Sequence, residues 1–241
     1  MKYVVSPLEW DTDYFQKKSA KVVLNEKLSN QEFAGMVKQL KCFEFVTITN
    51  VNNDYYNNFL IGQLSTSFLV DINMQFQQPV DIQAESPQYR IDNNFKPTKD
   101  IVEIASNAFN YSRFYNDPYL NRDAAKNIYA NWVKNSFKKS NKYFVVAEEK
   151  ELMGFLLFSI KDDCATIELI SLSSKAQGKG AGTKLVSALN NFAHKKGVTS
   201  IKVGTQVDNI QAVNFYLKKG FTYNQRNAVY HYWPRKDFSY E

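Results

Sequence analysis

Cysteine and histidine are scarce in this 241-residue chain: Cys42, Cys164, His194 and His231 are all it has. The two cysteines lie far apart in apolar stretches, which predicts buried, reduced thiols rather than a disulfide. So few ligands, at no recognisable zinc spacing, point away from a metal site. Long apolar runs are missing as well. Nothing approaches the roughly 18–20 residues of a membrane-spanning helix. The opening MKYVVSPLEWDTDYFQKKSA breaks any signal-peptide core with Trp10, Asp11 and Asp13. These absences predict a cytoplasmic protein without a membrane partner. Blocks of like charge are absent too, because the net charge of +6 is spread over short runs such as KKS, KKG and PRK. Without a continuous basic stripe, nucleic acid is not the expected partner. An anionic small molecule accounts for a modest positive charge equally well.

What remains is ordinary globular material, 44% apolar and 22% charged, long enough for one large domain or two small ones. Residues 1–80 read as a small α/β unit. Ser29 and Glu32 have the spacing of a capping box, and Phe33, Met36, Val37 and Leu40 then fall on one helical face. FEFVTIT (43–49) reads as a strand. SFLVDINMQFQ (67–77) alternates Phe68, Val70, Ile72, Met74 and Phe76, which predicts a strand with one buried face, while Asp71 interrupts the other. The polar stretch 78–97 carries three prolines and reads as a connector, with a domain boundary near residue 85. Beyond it, Ile101, Ile104, Ala105 and Ala108 predict one helix, and Ala124, Ile128 and Trp132 a second. Strands follow at 142–149, 152–160 and 165–172, then a helix over 180–196, a strand at 200–207, a helix at 209–220 with a glycine C-cap, and a last strand at 228–233.

The loop Gln177-Gly178-Lys179-Gly180-Ala181-Gly182-Thr183 joins a strand to a helix. Such a junction exposes backbone N–H groups without helical partners at the positive end of the helix dipole, which makes an anion site. Glycines let the backbone approach a pyrophosphate without Cβ atoms in the way, and Lys179 and Lys184 add positive charge. Its spacing fits neither the Walker pattern nor the dinucleotide fingerprint. Taken singly, the loop reads equally well as a plain turn.

Its surroundings decide between the two. The order Gln177, Gly180, Gly182 after the strand IELISL, followed by Asn209, Ala212, Phe215, Tyr216, Gly220 and Phe221, resembles the two signature patterns of the GNAT superfamily of N-acetyltransferases. The resemblance spans roughly residues 88–233. It implies an α/β (α+β) fold of the GNAT type, a central mixed and largely antiparallel sheet flanked by helices. Residues 86–241 would be the acetyl-CoA-binding catalytic domain and residues 1–85 a small amino-terminal α/β domain contributing to acceptor binding. It further implies that residues 177–183 hold the pyrophosphate of acetyl-CoA and that backbone around Ile170 to Leu172 pairs with the pantetheine arm. The Leu172 amide would polarise the thioester carbonyl, and Asn209 would touch the arm.

Tyr216 matches the tyrosine that protonates the departing sulfur in many relatives. A phenol of pKa ~10 is protonated at pH 7 and can donate to a thiolate whose acid has pKa ~8.5. Without the surrounding motif it would read as a core tyrosine. For the base, Glu168 alternates with Ile170 and Leu172, and relatives carry a water-activating carboxylate there. It reads as well as a strand carboxylate paired with a lysine. His231 is a further candidate near the substrate, although a solvent-facing strand histidine is the blander expectation.

The pieces LEWDTDYF (8–15), SFLVDINMQF (67–76) and YSRFYNDP (111–118) resemble dTDP-fucosamine acetyltransferases, which acetylate a nucleotide-linked 4-amino-4,6-dideoxy sugar. The first piece departs from that pattern at Gln16, where those proteins continue with glycine. The resemblance implies a small-molecule nucleotide-sugar acceptor, with Arg113 on its diphosphate and Tyr111, Phe114 or Tyr115 stacked on thymine. Read as plain structure, those aromatics pack a helix junction and Arg113 makes a salt bridge. Trp10 and Asp11 are expected to dock the first segment. Three readings stay open: transfer to a dTDP-amino sugar, transfer to a protein amine or polyamine, and a non-catalytic CoA-binding module. A homodimer is compatible with all three.

Overall fold

β-branched and aromatic runs supply ten strands, joined by seven helices, in a computed structural model that describes residues 1–81, 87, 89–94, 98–108, 111–137 and 139–236. In chain order they are β1 (Tyr3–Pro7), α1 (Glu9–Phe15), β2 (Ser19–Leu24), α2 (Asn30–Leu40), β3 (Phe45–Asn50), α3 (Tyr55–Ile61), β4 (Ser67–Pro79) and β5 (Arg90–Asp92). The second half holds α4 (Lys99–Ala108), α5 (Arg122–Ser136), β6 (Lys142–Glu148), β7 (Leu152–Lys161), β8 (Cys164–Leu172), α6 (Ala181–Lys195), β9 (Ser200–Gln206), α7 (Ile210–Lys218) and β10 (Thr222–Tyr232). The capping box forms as expected: Glu32 N–H donates to Ser29 Oγ at 3.2 Å and Ser29 N–H to Glu32 Oε2 at 2.7 Å. It starts α2, which buries Phe33, Met36 and Leu40.

All ten strands form one sheet in the order β1-β2-β3-β10-β4-β9-β8-β7-β6-β5. Among the described residues only β2/β3 and β8/β9 are parallel, so the sheet is mixed and largely antiparallel. The boundary expected near residue 85 lies outside the described residues. The strands on either side of it share the sheet, because β4 pairs antiparallel with both β9 and β10.

Helices cover both faces. On one, α6 and α7 close a core around Phe76, Leu156, Phe158, Leu185 and Leu189, while α2 and α3 close another around Val22, Val46 and Ile48. On the other, α4 and α5 pack Ile101, Ile128 and Val133 on Phe144, Phe155 and Leu157, and α1 adds Trp10, Tyr14 and Phe15.

Three expectations need correction. The apolar alternation of β4 does not keep one face: Phe68 packs with α4 and α5, whereas Met74 and Phe76 pack under α6 and α7. The cause is a bulge, since Val229 pairs with Asp71 but Tyr230 with Leu69, and one extra residue flips all that follow. The cysteines are not both buried, because Cys42 is exposed and Cys164 half-buried. The connector 78–97 contains a strand of its own, β5, paired with β6.

Candidate active site

A second bulge opens the centre of the sheet. In the β7/β8 ladder Leu157 pairs with Leu169 but Phe158 with Ile167, leaving Glu168 unmatched. The parallel β8/β9 ladder ends at the same place, Ile167 opposite Val203, although β8 runs on to Leu172 and β9 to Gln206. Past the bulge the two strands part, and a gap lies between residues 168–172 and 204–206. Among the described residues the edge of β8 facing it has no strand partner, and it offers backbone donors and acceptors. The bulge also corrects the expected alternation. Ile170 and Leu172 pack with the α6/α7 core, while Glu168 turns to the opposite face and pairs with Lys142. Its Oε1 accepts from Lys142, and its Oε2 is buried without a partner.

From the end of β8 the chain turns through Ser174–Ala176 into the glycine loop. Gly178 and Gly180 take φ of +73° and +79°, a region that disfavours side chains. Gly180 is the N-cap of α6, and no side chain caps it. The first intrahelical donor is Lys184 N–H, to Gly180 O at 3.1 Å. The N–H groups of Ala181, Gly182 and Thr183 therefore lack helical acceptors. A methyl on Gly182 would lie 3.3 Å from the Phe215 ring and 3.8 Å from Leu172 Cδ1, so glycine lets the loop sit against β8 and α7. Gln177 and Lys179 are exposed.

Helix α7 completes this half. Asn209 caps it, accepting from Ala212 N–H at 3.1 Å. Two turns later Tyr216 is buried, its ring 6.0 Å from Phe76 and 5.4 Å from Phe215 and Phe221. Burial pushes its phenol well above the ordinary value, which keeps it protonated. Gly182 thus brings the loop against Leu172 at the strand end and against Phe215, the neighbour of Tyr216 on α7.

On the opposite face lies a cleft of about 590 Å³. Lys21 (β2), Thr47 and Thr49 (β3), Asn227 (β10) and Asp71, Asn73 and Gln75 (β4) line its floor. Trp10 and Asp11 from α1, Trp132, Asn135 and Ser136 from α5, and Arg113 line it as well. Gly204, at the gap, is covered by two of these amides: a methyl there would lie 2.5 Å from Gln75 Nε2 and 3.0 Å from Asn73 Oδ1. The charges are poorly solvated. Burial lifts the Asp71 carboxyl to about 6, opposed by Arg113 and reinforced by Asp208. Burial likewise raises Asp11, against the pull of Arg113 and Lys21. Lys21 is lowered, by burial first and the Arg113 charge second.

The expected acceptor residues divide. Arg113 and Phe114 line the cleft, with the guanidinium 4.3 Å from the Phe114 ring centre. Tyr111 is 48% exposed and does not line it. His231 is not solvent-facing: it is fully buried among Phe45, Phe68 and Phe114. It bonds Asp117 Oδ2 through Nδ1 at 2.7 Å, and Trp233 Nε1–H donates to the same oxygen at 3.1 Å. Burial pulls its pKa down to about 4, so the ring is neutral near pH 7. The alternation of β10 hid this, because its terminal residues lie under α1 and α5 rather than at an open edge. Sequence reasoning missed Lys21, Asn73, Gln75 and Trp132. The polar run Asp71, Asn73, Gln75, at every second position of an apolar strand, was the available signal.

Comparison with known proteins agrees with this geometry. The profile of the acetyltransferase (GNAT) family matches residues 100–221. The spore coat polysaccharide biosynthesis protein SpsD of Bacillus subtilis is 27% identical, over 95% of this chain and 82% of its own length. A dTDP-fucosamine acetyltransferase of Escherichia coli O6:H1 is 31% identical over 49% of this chain and 51% of its own. Among solved structures, a GCN5-related N-acetyltransferase from Sphaerobacter thermophilus superposes with a TM-score of 0.61 at 13% identity, covering 99% of this chain and 79% of that one. This last likeness establishes the shared fold.

Proposed function

The chain belongs to the acetyltransferase (GNAT) family, and from that premise we propose that it moves an acetyl group from acetyl-CoA to the amine of a dTDP-linked 4-amino-4,6-dideoxyhexose, by direct transfer in a ternary complex. As an acyl-CoA-dependent N-acetyltransferase it has homologues in spore coat polysaccharide biosynthesis and dTDP-fucosamine acetylation. The observation that carries the acceptor is the cleft beside the gap. With Lys142 paired to Glu168, it presents three further cations, Lys21, Arg113 and Lys139, against two carboxylates, Asp11 and Asp71. A diphosphate fits that balance, whereas a polyamine would be repelled. The amides and hydroxyls of the floor suit a hydroxylated ring.

Acetyl-CoA supplies the activated thioester. The free N–H groups of residues 180–183, the positive end of α6 and Lys179 suit its pyrophosphate, and the unpaired edge of β8 suits its pantetheine arm. Asn209, the cap of α7, is assigned to the same arm. In this reading the Leu172 N–H donates to the carbonyl oxygen as negative charge builds there. Tyr216 gives its proton to the sulfur as the C–S bond breaks. Glu168, one oxygen held by Lys142, takes the proton from the attacking amine through its free Oε2.

The test is turnover. Labelled acetyl-CoA with dTDP-4-amino-4,6-dideoxyhexoses of either C4 configuration should give labelled N-acetyl sugar, detected by mass. Tyr216→Phe should cut kcat about 10²-fold with the Kd of acetyl-CoA unchanged. A fully active Tyr216→Phe removes the acid assignment, and transfer to peptide amines but to no amino sugar removes the acceptor.

A further inference from the structure

We propose that Trp10 is the stacking platform for the nucleobase of the acceptor, and that Arg113 with Lys21 holds the diphosphate beside it, so that the acceptor lies across the strands from the gap to α1. This inference rests on the nucleotide-sugar reading above and adds its orientation.

The sheet serves as a ruler. From the gap outward the strands run β9, β4, β10, β3, β2, a width of roughly 20 Å at ~4.8 Å per strand. Lining groups change in step. Amides and the Asp71 carboxylate stand on β4 next to the reacting edge, neutral groups follow on β10 and β3, and a cation stands on β2. Helix α1 borders β2, tied by Leu8 N–H to Ser19 O at 2.9 Å and by Ser19 N–H to Thr12 Oγ1 at 2.9 Å. An extended sugar–diphosphate–nucleoside has the same order, with a hydroxylated ring, then negative charge, then a planar base. Its dozen or so linking bonds of ~1.5 Å give it a comparable reach.

Two features mark the far end as a ligand site. Arg113 Nε is buried without a hydrogen-bond partner. Neither Arg113 nor Lys21 forms an ion pair with a carboxylate among the described residues, although the two cations are close enough to repel. Asp11 and Asp71 stand nearby without pairing to either cation, so the buried, unpartnered Arg113 Nε is a donor left for an anionic ligand. Trp10 stands next to the two cations as a supported ring. It stacks on Tyr14 at 4.9 Å and 8° between planes, and Tyr14 Oη donates to Ala124 O at 2.7 Å on α5. Such bracing presents an aromatic surface at low entropic cost on binding.

The experiment titrates the full chain with dTDP and, separately, with inorganic pyrophosphate. In a Trp132→Phe background, dTDP should quench tryptophan emission and pyrophosphate should not. Trp10→Leu should weaken dTDP about tenfold, as expected for a lost base–aromatic stack. It should leave pyrophosphate and acetyl-CoA affinity unchanged, and Trp10→Phe should recover most of the loss. Arg113→Gln should weaken both probes. If dTDP binds the wild type but Trp10→Leu matches it, or loses pyrophosphate equally, the inference is overturned and the nucleotide-sugar reading stands. If the wild type acetylates free amino sugars yet fails to bind dTDP, both fall.

Discussion

Asp71 stands on β4 beside the bulge, facing the cleft with Arg113 opposite and Asp208 near the turn after β9. Burial holds its carboxyl at about 6, above the 3.8 of a free side chain. The unfolded chain therefore ionises first as pH rises, and the folded state carries a cost that grows from about pH 4 and is complete above about pH 6. Asp71→Asn removes that cost. The variant should be more stable than the wild type by on the order of 1–2 kcal/mol at pH 8, allowing for partial solvent screening, and equal to it below about pH 4. Urea melts at the two pH values check this, and a difference that ignores pH would rule out the carboxylate as its source. Gly180, Gly182 and Tyr216 were legible one by one, because the glycine loop and helix signatures are local in sequence. Lys21 and Trp10 were not, since only the sheet brings β2 and α1 to the same cleft.

At the scale of elements, β8 does most to shape the centre. Its first half pairs on both sides, and its second half, past Glu168, pairs only with β7. Gly154 on β7 sets how closely that second half lies. A methyl at 154 would come 2.4 Å from Ser171 O and 2.6 Å from Leu172 Cδ2, so the strand end must move to admit it. Gly154→Ala should destabilise the protein by about 1–3 kcal/mol, as overpacking does. It should also weaken acetyl-CoA binding, because Ile170 to Leu172 are the residues displaced. Thermal melts and a cofactor titration measure the two effects. Loss of stability with cofactor affinity intact would separate β8 from the cofactor. Period-two patterning located this strand but not its bulge, because a single extra residue is silent in a run of alternating apolar side chains.

At the scale of the whole molecule, β4 joins the two halves. It comes from before residue 85, yet lies between β9 and β10, hydrogen-bonded to both. The family match, residues 100–221, contains neither β4 nor β10. A chain beginning at residue 86 would leave β9 and β10 facing an empty strand position, with Phe76 gone from the α6/α7 core. We expect that fragment to lack a cooperative urea transition, and co-expression of residues 1–85 to restore it. A fragment that melts cooperatively alone would show that β4 is dispensable.

By itself the sequence determined the family, the order of most strands and helices, the glycine turn that opens α6 and the helix that carries Tyr216. Each of these depends on residues within about one turn or one strand of each other. The tertiary structure alone decided which strands became neighbours. That placed β4 between β9 and β10, buried His231 against Asp117, turned Glu168 to Lys142 and gathered Trp10, Lys21, Asp71 and Arg113 around one cleft. Long-range strand pairing leaves no local mark in the chain, because either face of a strand can be buried until its neighbours and its bulges are set.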